Sequence, residues 1–586
     1  MFKISAEASA TRRWFVSSVF AAAVLSPAAS AVLPEEAAAL LPAEPVACAA
    51  SMGAVDSGAQ LNQAREYMER QRIAQQMEED RERKQAAVET EMQKPEQSAA
   101  RVTFILTRAD VDSSDILTET EIKAVTDPYV GKTVSLQDLY DMTAAINKLY
   151  EEKGYAVCRA YLPPQRIHEG AVQIKLLEGK TGNVTVNGLR FTRKGYVTHR
   201  IRLEPGKVAN TDTLNDALQR FNATNDVQLR ILVHAGEKPG TTDYEIAAFE
   251  PKNNHAVSLY VDNHGYDTSG RWREGVFYIM RSVTGQRDAL RMNYLRSKGT
   301  NIFAANYSMP VNNLGTILDF DYGTNTTKVI KGTMKPYGVE GHAYAAGITL
   351  RHPLRVDEKH RDEIGIQFLR QHSQTDWGTK TDHMRTRIVD DLRNTCIPYI
   401  SFTNYGRTSV FYHKHSFSLT DYKERGLDSR KNESYGIYRF DALYQKQLGR
   451  GHMLSGRLNA QVASESKKMS SSDMFYIGGA NSVRGYEESF LSGSQGFTAS
   501  LSWMAPLDKR RIWSAFAFVD YGRVFGDETT QAALDRTLVS TGLGVTVSYK
   551  NLYSSLTLGI PLKREFKSQA EKVDKTRIHF NCSMTF

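Results

Sequence analysis

Beyond its N-terminal end, the sequence has no run of about 18 uncharged apolar residues, and its mean hydropathy is −0.43. A transmembrane helix needs such a run, so the sequence excludes a helical membrane protein. It does not exclude a transmembrane β-barrel, because barrel strands alternate apolar and polar residues. Proline is scarce (17 residues), whereas tyrosine (28), phenylalanine (24) and glycine (41) are plentiful. This composition favours long antiparallel strands that carry aromatic side chains.

Motifs for catalysis, metal binding and nucleotide binding are missing. The four cysteines lie far apart without a Cys-x-x-Cys pair, so neither a zinc site nor a dithiol redox site is predicted. The 14 histidines form no His-Glu-x-x-His pattern, and neither a P-loop nor a Gly-x-Ser-x-Gly motif occurs. The net charge of +8 is small for 586 residues. We therefore expect no catalytic residue, metal, cofactor or nucleic-acid partner.

The N-terminal end has the three parts of a secretory signal peptide. Lys3, Arg12 and Arg13 supply the basic region, residues 14–25 the apolar region, and the Ala-Ser-Ala sequence at 29–31 a cleavage site. The paired arginines would also suit a twin-arginine signal, which exports folded proteins. An outer-membrane barrel has to cross the inner membrane unfolded, so the ordinary secretory signal is favoured. We therefore expect an exported protein.

A long polar helix is predicted from Leu61 to Lys94, where Pro95 ends it. Oppositely charged residues recur along it at i,i+4 spacing, which stabilises a helix. Apolar residues are too few to bury one face in a core, so the helix must stand in water or line an aqueous channel. Two alternatives follow, namely a solvated linker or a helix resting inside a water-filled pore.

Two successive stretches, residues 102–180 and 181–252, repeat one α+β plan. In the first, apolar residues at three- and four-residue steps predict a helix over 136–149, which Gly154 ends. In the second, a helix is predicted over Thr211–Phe221. Short strands flank both helices, so each stretch is expected to form one helix-covered sheet. A short sheet leaves an exposed edge that can accept an extended peptide as an extra strand.

From residue 253 onward, segments of about 8 to 11 residues alternate apolar and polar side chains between polar turns. The final segment places Ile578, Phe580 and Phe586 on one face and His579 and Asn581 on the other. This alternation suits a strand with one face in lipid and one in a wet lumen, and about 16 strands fit. The predicted fold is therefore a transmembrane antiparallel β-barrel preceded by two small α+β domains. The alternative, a soluble β-sandwich, would need neither so many long strands nor a signal peptide.

Three sets of residues resemble motifs of one known family. Gly154, Tyr155, Pro163 and Gln165 form the first set, Gly478, Gly479, Val483, Arg484, Gly485 and Tyr486 the second, and Phe518, Asp520 and Gly522 the third. In this order they resemble the first polypeptide-transport-associated (POTRA) domain, the tip of a long loop that enters the barrel lumen, and the strand that faces this tip. The family is that of the two-partner secretion transporters, or haemolysin secretion/activation proteins.

The resemblance implies that Arg484 forms a salt bridge with Asp520 inside the barrel. From the residues alone, an arginine on a loop within a lumen needs a partner for its charge. The strand pattern complicates this pairing. If Phe518 faces outward and Val519 inward, Asp520 shares the outward face with Phe518, so a bulge or a different register is needed to turn it inward.

The predicted organisation is, in chain order, a signal peptide (1–31), an N-terminal segment with a plug-like polar helix (32–101, helix 61–94), POTRA 1 (102–180), POTRA 2 (181–252) and an outer-membrane barrel (253–586). The resemblance implies a Gram-negative outer-membrane transporter with its POTRA domains in the periplasm. It implies type V secretion of a partner exoprotein with an N-terminal secretion domain, of the haemolysin, adhesin or contact-dependent toxin type. Periplasmic chaperones and outer-membrane lipids are further expected partners.

Two other functions stay open at this point. A barrel-assembly insertase of the same superfamily shares the loop motif, although it usually carries more POTRA domains. A passive porin would explain the barrel and leave the two α+β stretches without a role.

Overall fold

The computed structural model describes residues 56–86, 103–155, 157–238, 240–378, 385–426, 430–465, 468–526, 536–566 and 573–586. Side chains of the first helix are described as far as Asp80. The predicted signal peptide and the predicted end of the polar helix at Lys94 lie outside the described residues.

Five α-helices and eight strands precede the barrel in the described part of the chain. The helices are α1 (Ser57–Ala86), α2 (Glu119–Thr126), α3 (Leu136–Glu152), α4 (Lys194–Thr198) and α5 (Thr211–Thr224). The strands are β1 (Thr103–Ile105), β2 (Arg108–Val111), β3 (Thr133–Ser135), β4 (Arg159–Tyr161), β5 (Ala171–Leu177), β6 (Lys180–Asn187), β7 (Gln228–Ala235) and β8 (Thr241–Phe249). None of these described helices is long and apolar enough to span a membrane.

Residues 103–179 form the first α+β unit. Its main sheet has the order β2-β5-β4, and α3 packs on it through the buried side chains of Leu139, Met142 and Ile146. A capping box begins α3, and Gly154 adopts a φ of +82° just beyond its end. The helix predicted from apolar spacing is therefore present and extends to Glu152, whereas α2 was not predicted.

The carboxylate of Glu121 ties α2 to the end of α3. It accepts hydrogen bonds from the Lys153 ammonium at 2.7 Å and from the backbone N–H of Thr118 at 2.8 Å. These bonds, with that from Lys153 foremost, lower the pKa of Glu121 to about 2. Their contribution to stability is therefore complete above the ordinary glutamate pKa and is lost as the pH falls through about 2.

Residues 180–250 form the second α+β unit, with the sheet order β6-β8-β7 and α5 packed through Phe221. Both units thus combine one parallel and one antiparallel strand pair. Within the described residues, β7 is hydrogen-bonded to another strand on one side only. Its neighbours Leu232 and Val233 point to opposite faces, yet each is 48% exposed. The second unit therefore has an open apolar edge.

Sixteen antiparallel strands form the barrel. They are β9 (His255–Asp262), β10 (Arg273–Arg281), β11 (Ala289–Arg296), β12 (Thr300–Pro310), β13 (Ile317–Lys328), β14 (Glu340–Val356), β15 (His360–Trp377), β16 (Thr386–Tyr405), β17 (Ser409–Gly426), β18 (Arg430–Gln447), β19 (Met453–Ala463), β22 (Gln495–Pro506), β23 (Trp513–Phe525), β24 (Thr537–Tyr549), β25 (Leu552–Pro561) and β26 (Arg577–Thr585). Two three-residue strands, β20 (Phe475–Ile477) and β21 (Leu491–Gly493), pair in the connection between β19 and β22.

The barrel closes by pairing of its first and last strands, β9 and β26. The terminal Phe586 exchanges backbone hydrogen bonds with Val257 at 2.8 and 3.1 Å. The exposed Ile578 and Phe586 lie on the lipid side of this seam, whereas His579 is buried on the lumen side. The predicted alternation and strand number are therefore confirmed.

The second α+β unit contacts one end of the barrel, which we call the proximal end. Arg287, in the turn between β10 and β11, forms an ion pair with Asp226. Arg200 donates to the carbonyl of Asn312, in the turn between β12 and β13, at 3.0 Å. The opposite end of the barrel, where the strands have their other ends, is called the distal end.

The polar helix α1 lies inside the barrel. Its 30 residues span about 45 Å, enough to traverse the lumen. Leu61 packs on Ile302 and Ala345 of the barrel wall, and Glu69 pairs with Lys414 at 3.4 Å. Most contacts of α1 with the barrel wall are polar, and this is why the helix has no apolar face. It begins at Ser57, before the predicted Leu61.

Candidate functional site

The connection between β19 and β22 folds into the barrel, and its described residues, 464–465 and 468–494, are called the lumen loop. Gly478 and Gly479 have φ angles of +107° and +102°, a left-handed region that glycine adopts without strain. At the base of the loop, Asp473 accepts hydrogen bonds from Arg393 at 2.8 Å and from the Tyr435 hydroxyl at 2.7 Å. The loop is therefore tied to the barrel wall at its base.

The tip of the lumen loop is held by the pair that the resemblance implies. The Arg484 guanidinium donates to both carboxylate oxygens of Asp520 at 2.7 Å, and its backbone N–H donates to one of them at 3.0 Å. Ser500 donates to the same carboxylate at 2.7 Å. The Asp520 side chain is fully buried and that of Arg484 is 15% exposed. This is a bidentate, largely desolvated ion pair.

Asp520 faces the lumen without a bulge, because the expected orientation of β23 was wrong. Phe516, Phe518 and Asp520 are all buried on the lumen face, whereas Val519 is 54% exposed on the lipid face. The pairing of β23 with both neighbours continues without a register shift through this region. The Phe518 ring lies 3.5 Å from the Arg484 guanidinium and forms a cation–π contact. An aromatic residue faces inward here because it packs against the loop tip.

The residues beside Arg484 pack closely against the barrel wall, with little space between the loop tip and the strands. A Cβ on Gly485 would lie 3.1 Å from the backbone of Gly559 on β25, and the Gly485 φ is +97°. A Cβ on Gly522 would meet the Val483 side chain at 2.7 Å. The Tyr486 hydroxyl lies within hydrogen-bonding distance of backbone carbonyls on the wall. Val483, Gly485, Tyr486 and Gly522 therefore form the seat of the loop tip.

Sequence reasoning missed three side chains of this seat. Ser500 and Ser502 on β22 both accept hydrogen bonds from Arg484, at 3.0 and 3.2 Å. His579 accepts the Gly485 N–H at 3.2 Å. A signal for Ser500 existed, because it stands directly opposite Asp520 once β22 and β23 are paired. His579 belongs to a distant strand and could be found only after the barrel closes.

The lumen loop and α1 contact each other at the start of the helix. The carboxylate of Asp56 accepts hydrogen bonds from the backbone N–H groups of Gly58 and Ala59, as an N-cap does. It also accepts from the hydroxyls of Ser471 and Ser472 at 2.5 and 2.9 Å. One carboxylate therefore begins the helix and joins it to the loop.

At the proximal end, α1 is anchored to both the barrel and the second α+β unit. Asp80 accepts two hydrogen bonds from the Arg361 guanidinium on β15, at 2.8 and 2.9 Å, and a third from the Tyr405 hydroxyl at 2.5 Å. Arg361 also donates to the carbonyl of Ala223 in α5 at 2.7 Å. A single arginine therefore connects the helix, the barrel and the second α+β unit.

The residues of the POTRA motif lie in the first α+β unit, away from the lumen. Gly154 accepts the backbone N–H of Thr211 at 2.7 Å and so links the two units. Tyr155 packs against the core of the first unit. Gln165, two residues after Pro163, binds both backbone groups of Gln173, a residue of the central strand β5 that lies beyond the stretch paired with β4. We therefore assign Gly154, Tyr155 and Gln165 to the architecture of the two α+β units.

Comparisons with known proteins agree with this architecture. A profile described as POTRA domain, ShlB-type, matches residues 104–179, and one described as Omp85 superfamily domain matches residues 407–586. The heme/hemopexin transporter protein HuxB of Haemophilus influenzae (strain 86-028NP) is 23% identical over 81% of this chain and 86% of its own length. The outer membrane transporter CdiB of Dickeya dadantii (strain 3937) is 22% identical over 78% of this chain and 83% of its own.

Solved structures show the same fold. CdiB from Escherichia coli matches with a TM-score of 0.61 at 17% identity, covering 90% of this chain and 98% of its own. CdiB from Acinetobacter baumannii gives 0.59 at 18% identity, covering 92% and 99%. BamA from Haemophilus ducreyi, without its POTRA domains 1–3, gives 0.51 at 14% identity, covering 83% and 100%. The match to CdiB is thus better than the match to BamA.

The ShlB-type POTRA domain, the 16-stranded barrel and the transporter relatives lead to one assignment. The barrel lies in the outer membrane, and its proximal end, with the two α+β units, faces the periplasm. The chain is therefore an outer-membrane transporter of the two-partner secretion type, with a ShlB-type POTRA domain and an Omp85 superfamily domain.

Proposed function

We propose that this transporter captures the unfolded secretion domain of its exoprotein on the open edge of β7 and passes it through the barrel after α1 has left the lumen. The partner would be an exoprotein with an N-terminal secretion domain; among the relatives, HuxB is named a heme/hemopexin transporter and CdiB an outer membrane transporter. The supporting observation is that α1 and the lumen loop both occupy the lumen.

The open edge of β7 suits an extended, unfolded chain. Its free backbone groups can pair with a peptide strand, while Leu232 and Val233 offer apolar contacts on both faces of the sheet. In the first unit the strand at the corresponding position is β4, which has three residues and so offers a shorter edge. Cargo addition to the second unit would also bring the chain to the proximal mouth of the barrel.

Net movement of the cargo through the barrel would be driven by its folding at the cell surface. Pairing with a sheet edge binds the cargo weakly, since ordering an unfolded segment has an entropic cost. Weak capture is useful here because the cargo has to leave the edge again. Folding outside would then prevent its return.

Lysine at the apolar edge should weaken cargo capture about tenfold or more, because lysine side chains discourage strand addition at an open edge. We expect this for the double variant Leu232→Lys and Val233→Lys in the full-length protein. Binding of the unfolded secretion domain of the partner exoprotein would be measured by biolayer interferometry. Wild-type affinity is expected to be about micromolar or weaker.

The matched control carries the same charges away from a sheet edge. Val130 and Ile167 are also exposed, at 41% and 42%, but lie outside the strands, in a turn and in a loop. The variant Val130→Lys and Ile167→Lys should bind like the wild type. Equal affinities for the edge variant and this control would contradict capture at β7.

A further inference from the structure

The lipid-facing surface of strands β15 to β17 changes from apolar to polar at one sharp level. Phe368, Cys396 and Leu419 stand opposite one another in register and face outward. The next outward residues on the distal side are Arg370, Asn394 and Asp421, which are again in register and exposed. This is a row of polar side chains directly above an apolar band.

The position of this row along the strands places it at the outer surface of the membrane. Arg370 lies ten residues beyond His360, where β15 starts at the proximal end. A tilted transmembrane strand crosses the hydrocarbon in about 9 to 11 residues. The strands β14 to β18 continue well beyond this level. Arg370 is therefore at headgroup height in the outer leaflet, and the outward residues distal to it stand among the headgroups.

Four basic side chains occupy this headgroup region of the outward face, namely Arg370, Lys423, Arg425 and Arg430. All four are exposed, and none forms an ion pair within the described residues. Arg425 and Arg430 are direct cross-strand partners. Like charges in that arrangement repel each other unless an anion lies between them. Asp421 and Glu465 are acidic neighbours, and Glu465 pairs with Lys468, so the patch still has an excess of positive charge.

A groove of about 1000 Å³ lies across the boundary between the apolar band and the polar row. Phe320, Ile348, Phe368 and Leu419 contribute to its lining on the membrane side. Its polar lining includes Arg370. Small outward residues such as Ala346 and Gly436 make the wall locally hollow between the larger side chains. The groove thus offers apolar surface at acyl-chain depth and cations at phosphate height.

We propose that this groove and the four basic residues above it bind a phosphorylated glycolipid of the outer leaflet. Acyl chains would lie against Phe368 and Leu419, and the phosphates would bind Arg370, Lys423 and the Arg425–Arg430 pair. Guanidinium groups suit phosphate because they donate in a planar fork. The anion would also remove the repulsion between Arg425 and Arg430. Such a lipid would bind the strands whose lumen face contacts α1 and the base of the lumen loop.

The binding test uses the full-length protein in detergent, titrated with diphosphoryl lipid A and followed by native mass spectrometry. The triple variant Arg370→Gln, Lys423→Gln and Arg425→Gln should bind about tenfold more weakly or worse, because each lost cation removes a charge-assisted contact. The control variant Arg407→Gln, Lys509→Gln and Arg510→Gln removes three exposed cations from proximal turns. It should bind like the wild type.

A second measurement on the wild type does not depend on how the variants fold. Lipid A whose phosphates have been removed enzymatically should bind the wild type about tenfold more weakly or worse than the diphosphoryl form. Equal binding of the two lipids, or of the triple variant and its control, would overturn the proposal. Phosphatidylglycerol binding as tightly as diphosphoryl lipid A would also overturn it, because the patch would then be a general site for anionic lipids.

Discussion

Arg484→Ala is expected to reduce secretion of the partner at least tenfold while the barrel still inserts into the outer membrane. The substitution leaves the fully buried carboxylate of Asp520 without its guanidinium partner. Breaking a buried ion pair in this way costs about 3 to 5 kcal/mol. Ser500 still donates to Asp520, so we expect a value near the lower end. A loss of about 3 kcal/mol would already shift the equilibrium between the docked and the undocked loop tip by about 100-fold.

Graded variants separate charge from geometry in this pair. Arg484→Lys keeps the charge and loses the planar fork that reaches both oxygens of Asp520, so intermediate secretion is expected. The exchange Arg484→Asp with Asp520→Arg should restore part of the activity. It cannot restore all of it, because the cation–π contact with Phe518 depends on the position of the guanidinium.

The deciding measurement is a double-mutant cycle on cargo secretion at matched levels of folded barrel in the outer membrane. Arg484→Ala, Asp520→Ala and the double variant should have strongly non-additive effects, since both single variants unseat the same loop tip. Heat-modified migration on a gel would confirm that each barrel is folded. Simple addition of the two single effects would contradict the proposed role of the pair.

Deleting residues 57–86 is expected to raise single-channel conductance several-fold in planar bilayers. A 16-stranded barrel is wide enough for an aqueous channel, and α1 occupies that channel along its length. The lumen loop stays in place through Arg484 and Asp520, so the pore should be wide but not fully empty. Cargo secretion should continue. Unchanged conductance would contradict the assignment of α1 as a plug.

A single substitution at the proximal anchor should produce part of the same effect. Asp80→Asn weakens two hydrogen bonds to Arg361 by removing the charge, so α1 should leave the lumen more often. We expect more frequent openings in the same recordings. The control Glu66→Gln removes an acidic charge that pairs only weakly with Arg70 on the same helix, at 3.5 Å. It should open no more often than the wild type.

The fold was predictable from the sequence because its determinants are local and repeated. Alternation in β26 assigns Ile578 to lipid and His579 to the lumen, whatever the rest of the chain does. The amphipathic spacing of α3 and the glycine at 154 likewise specify a helix and its end. Such signals identified the barrel, the helix-covered sheets and the family motifs.

The orientation of β23 shows where local patterns fail. Parity correctly placed Asp520 on the same face as Phe518, but the choice of face was wrong. Aromatic residues usually indicate the lipid side of a barrel strand. Here Phe518 packs under the Arg484 guanidinium, and that contact exists only because a loop from elsewhere in the chain enters the lumen.

The sequence by itself therefore determined the strands, their number, the two α+β units and the polarity of α1. Only the tertiary structure decided that α1 lies in the pore, that Asp56 joins it to the lumen loop, and that Arg361 connects Asp80 to Ala223. The physical reason is that each of these contacts joins residues far apart in the chain. A polar side chain that becomes buried needs a hydrogen-bond or ion-pair partner, and only the closed barrel determines which residue that partner is.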